Sequence, residues 1–242
     1  LMRIPDVVGT GVGIGPDGLP AIKVFTARHG VKGIPEWLES TPVHVEVTGM
    51  VVALDCPQGS AGRCDRPVPI GVSAGHPAIT AGTISARGKD AAGNVYALSN
   101  NHVYANQNDA SIGDNVLQPG PYDGGIDSAD AIGTLYAFVP IDFTFAGENY
   151  VDAAIALSSL EKLDNRTLSG GYGIPNSRIF GDSNGDGIFD NINDLLNLSV
   201  QKYGRSTGLT KGAVSAINVY VEVCYEQIFG FCIKSAYFYD QI

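Results

Sequence analysis

Residues 79–103, ITAGTISARGKDAAGNVYALSNNHV, decide the fold class of this 242-residue chain. Short runs rich in Ile, Thr, Val and Tyr alternate here with Gly, Asn and Asp, a pattern typical of strands joined by tight turns. It recurs in IGTLYAFVPIDF (132–143) and VDAAIAL (151–157). Gly supplies 31 residues, roughly twice its usual share. The sequence therefore predicts a mostly β protein.

Composition divides the chain into four segments. Residues 1–54 form a small strand-rich module, and IPEWLEST (34–41) within it favours one short helix, which makes the module α+β. The Pro- and Gly-rich residues 55–69 form a linker that carries two cysteines. Strand-like runs at barrel-like intervals predict a first β-barrel at 70–160 and a partial second β-barrel at 161–242.

The charge balance excludes two classes of partner. Lys and Arg number 15 against 25 Asp and Glu, a net charge of −10, and no basic cluster occurs. Nucleic acid is therefore excluded, because binding it requires neutralising phosphates. An anionic membrane surface would repel the chain, and no apolar run approaches the roughly 18 residues of a spanning helix. The N-terminus lacks the features of a signal peptide, so we expect any targeting segment to have been removed.

The four cysteines fall into two close pairs, Cys56 with Cys64 and Cys224 with Cys232. Four cysteines allow three connectivities, and the local one is favoured because each pair flanks one turn-sized segment. A zinc site is the competing interpretation, but neither pair has the CxxC-like spacing that zinc knuckles use. Free thiols are the other alternative. Local disulfides predict an oxidising compartment, either secreted or periplasmic.

Two glycine-containing motifs resemble functional motifs but are interpreted as ordinary structure. GTGVGIG (9–15) lacks the glycine spacing of a dinucleotide-binding turn, so we interpret it as a glycine-rich strand turn. GVSAG (71–75) matches the GxSxG nucleophile elbow, which requires a helix directly after the serine. Pro77 breaks such a helix, so Ser73 is interpreted as an ordinary strand residue.

His102 and Asp152 stand out among the titratable residues. His102 lies in ALSNNHV (97–103), where an apolar strand runs into a polar turn, a place that exposes an imidazole at the rim of a barrel. Asp152 lies within YVDAAIAL (150–157), and a buried carboxylate needs hydrogen-bond donors such as an imidazole N–H. Each residue alone has an ordinary structural interpretation, whereas together they match two thirds of a hydrolytic triad.

Five segments occur in the order seen in bacterial trypsin-like serine peptidases of the chymotrypsin fold, and the sequence resembles the branch of that family with an NNHV histidine motif. They are PIGVSAGHPAITAGTIS (69–85), ALSNNHVYAN (97–106), VLQPGPYDGG (116–125), NYVDAAIAL (149–157) and VQKYGRSTGLTKGAVSAIN (200–218). The resemblance implies a double β-barrel, with His102 as general base and Asp152 as the residue that orients it. It covers about residues 68–242, and the GRSTGLTKG hairpin then belongs to the second barrel.

The family's nucleophile lies in a GDSG-type motif, and no GDSG occurs in the 242 residues. The oxyanion-hole amides come from the same motif. We therefore expect a trypsin-like endopeptidase that lacks its nucleophile segment, is inactive alone and acts on a polypeptide substrate once a complementary C-terminal peptide is present. The alternative is a non-catalytic, calcium-stabilised binding module on the same fold.

An acidic stretch, GDSNGDGIFDNINDLL (181–196), resembles an EF-hand or dockerin-like calcium loop. Its oxygen donors fall at the spacing of such a loop up to the ninth position, and the twelfth position, normally Glu or Asp, is Asn. A solvated Asp-Gly turn is the alternative. The predicted Ca²⁺ ligands are Asp182, Asn184, Asp186, the Ile188 carbonyl, Asp190 and either Asn193 or Asp194.

Overall fold

The computed structural model describes residues 1–48, 56, 59–177, 179–186 and 190–242. The chain forms two compact units, residues 1–53 and 54–242. The fold is mostly β, as the sequence predicts. Within the described ranges, the α-helical segment is the four-residue α1, Asn101–Tyr104, and no helix there has the length and apolar character needed to span a membrane.

The first unit contains a four-stranded sheet in the order β1-β2-β4-β3. Strands β1 and β2 are antiparallel and β2 and β4 are parallel. The bounds are β1 Val7–Ile14, β2 Pro20–Thr26, β3 Trp37–Leu38 and β4 Thr41–Val47.

The helix expected at IPEWLEST, and with it the α+β class of this module, is wrong. Trp37 pairs with Pro42 and Leu38 with Thr41, both antiparallel. Glu39 has a φ of 52°, which turns the chain between these strands. Eight residues are too few to form a stable helix without tertiary packing, so pairing with β4 prevails. The described part of residues 1–53 is built of strands and turns without a helix.

The second unit is organised around a five-stranded antiparallel sheet in the order β10-β11-β12-β9-β8. The remaining strands form two-stranded sheets: β13 with β5 (parallel), β6 with β7, β14 with β15 and β16 with β17. The bounds are β5 Val68–Ile70, β6 Ser73–Ala74, β7 Gly82–Thr83, β8 Ala86–Lys89, β9 Val95–Ser99, β10 Asn115–Leu117, β11 Ala131–Phe138, β12 Ala154–Ser158, β13 Leu163–Thr167, β14 Ser199–Gly204, β15 Gly208–Ala213, β16 Val219–Ile228 and β17 Phe231–Gln241.

Alternation along β9 shows how the core forms. Val95, Ala97 and Ser99 are buried, whereas Leu98 on the opposite face is 37% exposed. This two-residue period is what a strand with one buried face requires. The buried face joins a large apolar cluster that includes Tyr104 of α1. The helix that carries His102 is thus anchored in the core at its last residue.

Both predicted disulfides are confirmed. Cys56 is bonded to Cys64 and Cys224 to Cys232, with Cα atoms 4.2 and 5.8 Å apart respectively. The second disulfide crosslinks β16 to β17. Two disulfides indicate folding in an oxidising environment.

Candidate active site

His102 is positioned by the junction of β9 and α1. Strand β9 ends at Ser99, and the next residue, Asn100, donates its side-chain N–H to the Asp152 carbonyl at 3.1 Å. Asn101 is fully buried and donates to the Val139 carbonyl at 2.7 Å. The backbone on both sides of the helix start is therefore tied to neighbouring segments. His102 itself points outward, with 43% of its side chain exposed.

Asp152 is placed beside His102 by the start of β12. In the sheet, β12 lies beside β9, with Ala154 opposite Ser99. Asp152 precedes Ala154 by two residues and His102 follows Ser99 by three, so the register brings both side chains to one edge of the sheet. The segment that precedes Asp152 is held as well, because the Tyr239 N–H donates to the Asn149 carbonyl at 2.8 Å.

The two side chains form a close pair. Nδ1 of His102 lies 2.5 Å from Oδ2 of Asp152. The His102 backbone N–H donates to Oδ1 of the same carboxylate at 3.3 Å. Only 12% of the Asp152 side chain is exposed. The carboxylate is therefore held at both oxygens by a single residue that lies fifty positions earlier in the chain.

The electrostatics keep Asp152 ionised. Burial alone raises the pKa of a carboxyl group. At Asp152 the hydrogen bonds and the charge of His102, with a hydrogen bond from Tyr225, outweigh burial and lower the pKa below its usual value. An ionised Asp152 accepts from the Nδ1–H of His102 and so selects the tautomer with a free Nε2.

A second His–Asp pair in the same unit lacks this free nitrogen. His76 Nε2 lies 3.2 Å from Oδ2 of Asp114, and its Nδ1 accepts from the Ala78 N–H at 3.1 Å. His76 is also only 8% exposed. Both ring nitrogens of His76 are engaged, whereas Nε2 of His102 forms no hydrogen bond to any residue that the structure describes. Of these two histidines, His102 is the one suited to proton transfer.

Tyr225 was missed by the sequence analysis. Its hydroxyl donates to Oδ2 of Asp152 at 3.1 Å, across 73 residues of sequence. Its ring lies edge-on to the His102 ring, with centroids 5.6 Å apart. No local pattern around Tyr225 distinguishes it from the neighbouring tyrosines of β16 and β17, so only the tertiary structure reveals the contact.

Ser73 belongs to a buried hydrogen-bond network with Asp123 and Gly120, not to the His102–Asp152 pair. Its hydroxyl donates to Asp123 Oδ2 at 2.5 Å and accepts from the Gly120 N–H at 3.0 Å. Arg205 binds the same carboxylate, with Nη2 2.5 Å from Oδ1 and Nε 2.8 Å from Oδ2. With its hydroxyl engaged in this way, Ser73 serves a structural role.

The first part of the acidic stretch closes on itself. Asp182 Oδ1 accepts from the N–H groups of Gly185 and Asp186 at 2.7 and 3.1 Å. Asp190 Oδ2 accepts from the Ser183 N–H at 3.0 Å. Asn184 donates to Asp186 Oδ2 at 2.9 Å. Four of the expected ligands therefore lie in one short loop.

The other expected ligands are placed differently. Asn193 and Asp194 lie in the 3₁₀ turn Ile192–Leu195, and Asp194 accepts from the Asn191 side chain at 3.0 Å. Ile188 lies outside the described residues. In the described ranges, no group of three or more His, Cys, Asp or Glu side chains is arranged to hold a metal ion.

In comparisons with known proteins, no protein-family model matches the chain, and no curated protein matches it either.

Proposed function

We propose that residues 54–242 are the His- and Asp-bearing part of a trypsin-like serine endopeptidase. The observation that carries the proposal is the His102–Asp152 pair, with Nδ1 and Oδ2 2.5 Å apart and with Nε2 of a half-exposed imidazole that bonds to none of the residues described in the structure. This is the geometry that a general base and its orienting carboxylate need. The resemblance of five ordered segments to chymotrypsin-fold peptidases supports the same reaction class.

In the proposed mechanism, Nε2 of His102 takes the proton from a serine hydroxyl as its oxygen attacks the scissile carbonyl carbon. Asp152 accepts from Nδ1–H and stabilises the imidazolium that forms. His102 then donates the proton to the leaving amine, and the peptide C–N bond breaks. Water, deprotonated by the same imidazole, hydrolyses the acyl-enzyme and releases the serine.

The nucleophile and the oxyanion hole belong to a GDSG-type turn in this reaction class, and the 242 residues contain none. We therefore assign the serine to another polypeptide segment that completes the site. In this proposal the five-stranded sheet is part of the first barrel of a double β-barrel, and the hairpins β14–β15 and β16–β17 are parts of the second. The two disulfides favour a secreted or periplasmic enzyme.

We also propose that the loop that carries Asp182, Asn184, Asp186 and Asp190 binds Ca²⁺ as a structural ion. The support is the closure of this loop, in which Asp182 and Asp190 both bind the backbone of residues 183–186. Carboxylate, amide and carbonyl oxygens are the donors that Ca²⁺ prefers. The ion would offset the repulsion among three carboxylates and takes no part in the peptidase steps.

The test joins a GDSG-bearing segment from a bacterial trypsin-like peptidase to the chain and measures hydrolysis of a fluorogenic protein substrate. The wild-type chain joined to this segment, called the joined wild type, should hydrolyse the substrate. Asp152→Asn in the same joined protein should lower kcat by roughly 10³- to 10⁴-fold. His76→Asn is the matched control, because it alters the other His–Asp pair and should keep the activity of the folded fraction. A folded but inactive joined wild type would instead favour the non-catalytic binding module.

A further inference from the structure

Tyr225 contacts both members of the proposed catalytic pair. Its hydroxyl donates to Asp152 Oδ2 at 3.1 Å, the same oxygen that lies 2.5 Å from His102 Nδ1. Its ring meets the imidazole edge-on, at an interplanar angle of 74°. One side chain thus contacts the carboxylate through its hydroxyl and the base through its aromatic ring.

The ring of Tyr225 is itself held by the core. It packs against the small buried cluster of Ile141, Ala236 and Phe238. Phe143 contacts it in a T-shaped arrangement, with centroids 5.2 Å apart. The adjacent residue, Cys224, is bonded to Cys232 on the neighbouring strand. Tyr225 therefore offers a fixed hydroxyl rather than one that must be ordered when Asp152 binds it.

The hydroxyl acts as a donor at every pH near neutral. Burial raises the pKa of the Tyr225 phenol, and the negative charge and hydrogen bond of Asp152 raise it further. A protonated phenol has one hydrogen to give, and the nearby carboxylate is its acceptor. Hydrogen bonds to a charged acceptor are about twice as strong as neutral ones.

We propose that Tyr225 is a positioning residue of the His102–Asp152 pair, whose hydroxyl fixes the carboxylate and whose ring limits rotation of the imidazole. Its significance for catalysis rests on the proposed peptidase function. Its hold on the pair rests on the observed contacts alone. General-base catalysis depends on such fixed orientation, because small displacements of the base reduce the rate strongly.

The decisive experiment is a carboxyl ¹³C NMR titration of the 242-residue chain, with the Asp152 signal assigned by its loss in Asp152→Asn. Tyr225→Phe removes the hydroxyl and keeps the ring, and should raise the Asp152 titration midpoint by about half to one pH unit. The matched control is Tyr220→Phe on the same strand, whose ring stacks on Tyr237. It should leave the midpoint unchanged. Equal midpoints in both variants overturn the proposal.

A kinetic measurement in the chain joined to a GDSG segment separates the two proposals. Tyr225→Phe should lower kcat about tenfold at nearly unchanged KM, as expected for a group that holds the base rather than the substrate. Unchanged kcat overturns the catalytic significance of Tyr225. A wild type that shows no hydrolysis overturns the peptidase proposal, and the titration still decides whether Tyr225 holds the pair.

Discussion

Asn101 and Asn108 exchange two hydrogen bonds across the loop that follows His102. The Asn101 side chain donates to Asn108 Oδ1 at 2.8 Å, and the Asn108 backbone N–H donates to Asn101 Oδ1 at 3.1 Å. Asn108 has a φ of 82°, a left-handed conformation that Asn tolerates better than most residues. Asn108 is also bonded to the backbone of Ile141 at 2.8 and 2.9 Å. This exchange locks α1 against the chain that follows β11.

Replacing Asn101 should therefore destabilise the second unit. Asn101→Ala removes the donor to Val139 and both bonds to Asn108, and it leaves buried polar groups unpaired. We expect the free energy of unfolding to fall by about 2 to 3 kcal/mol, measured by urea denaturation. Asn94→Ala, which removes a hydrogen bond on the surface, is the control and should cost less than about 1 kcal/mol. Equal losses in the two variants would contradict this role of Asn101.

The ion pair of Arg205 with Asp123 links the turn between β14 and β15 to the 3₁₀ turn Pro121–Asp123, which lies between β10 and β11. Only 8% of the Asp123 side chain and 22% of the Arg205 side chain are exposed. Arg205→Met should lower the free energy of unfolding by about 2 to 3 kcal/mol, because it leaves a buried carboxylate with Ser73 as its remaining side-chain donor. Lys202→Met in the same hairpin serves as the control. A double-mutant cycle with Asp123→Asn should show a coupling energy, and purely additive losses would rule out the pair.

Asp123 should also contribute to the acid sensitivity of the fold. Burial raises the pKa of Asp123, but the hydrogen bonds of Arg205 and Ser73 and the charge of Arg205 outweigh it, so the pKa is lowered. Such a group stabilises the folded state above its unfolded-state pKa of about 3.9 and loses this effect as pH falls through the folded-state pKa.

Urea denaturation at a series of pH values tests whether the stabilising effect of Asp123 is lost as the pH falls. Wild type should exceed Asp123→Asn in stability most at about pH 5 to 7, and the difference should shrink towards pH 2. The exposed Asp109→Asn variant should follow the wild-type curve. A difference between wild type and Asp123→Asn that stays constant with pH would contradict the lowered pKa.

Calcium should raise the melting temperature if residues 182–190 bind it. Ligands that bind only the folded state stabilise it by mass action. With an imperfect twelfth ligand, we expect a Kd on the order of 10⁻⁴ to 10⁻³ M and a weaker effect of Mg²⁺, which demands octahedral geometry. Asp186→Ala should abolish the calcium effect, and Asp109→Ala should retain it. The same melting temperature with calcium and with chelator would reduce the stretch to a solvated turn.

The sequence predicted those features that follow from local spacing. The β class came from short runs of β-favouring residues between turn formers, and both disulfides came from cysteines that flank a turn. The expected helix at IPEWLEST failed because its residues pair with β4, a contact that local helix signals do not contain. His102 was singled out where an apolar strand runs into a polar turn, and Asp152 as a lone carboxylate within an apolar strand. The structure places the two side chains together, with Asp152 two residues before β12 rather than within it.

The supporting residues of the site could not be predicted in the same way. Tyr225 reaches Asp152 across 73 positions, and its neighbours on β16 and β17 include other tyrosines. Asn100 and Asn101 are adjacent asparagines, yet Asn101 is fully buried and Asn100 is only half-buried. Such roles depend on the register of distant strands. That register is set by the whole core rather than by any short pattern.

In the proposed peptidase, His102 acts as the general base for a serine supplied with a GDSG segment. The most direct measurement is the second-order rate of labelling of that serine by a fluorophosphonate probe, compared between the joined wild type and His102→Ala at equal folded fractions. We expect rapid labelling of the wild type and a labelling rate lower by roughly 10³-fold or more in His102→Ala. Equal labelling rates in the two proteins would contradict this role of His102.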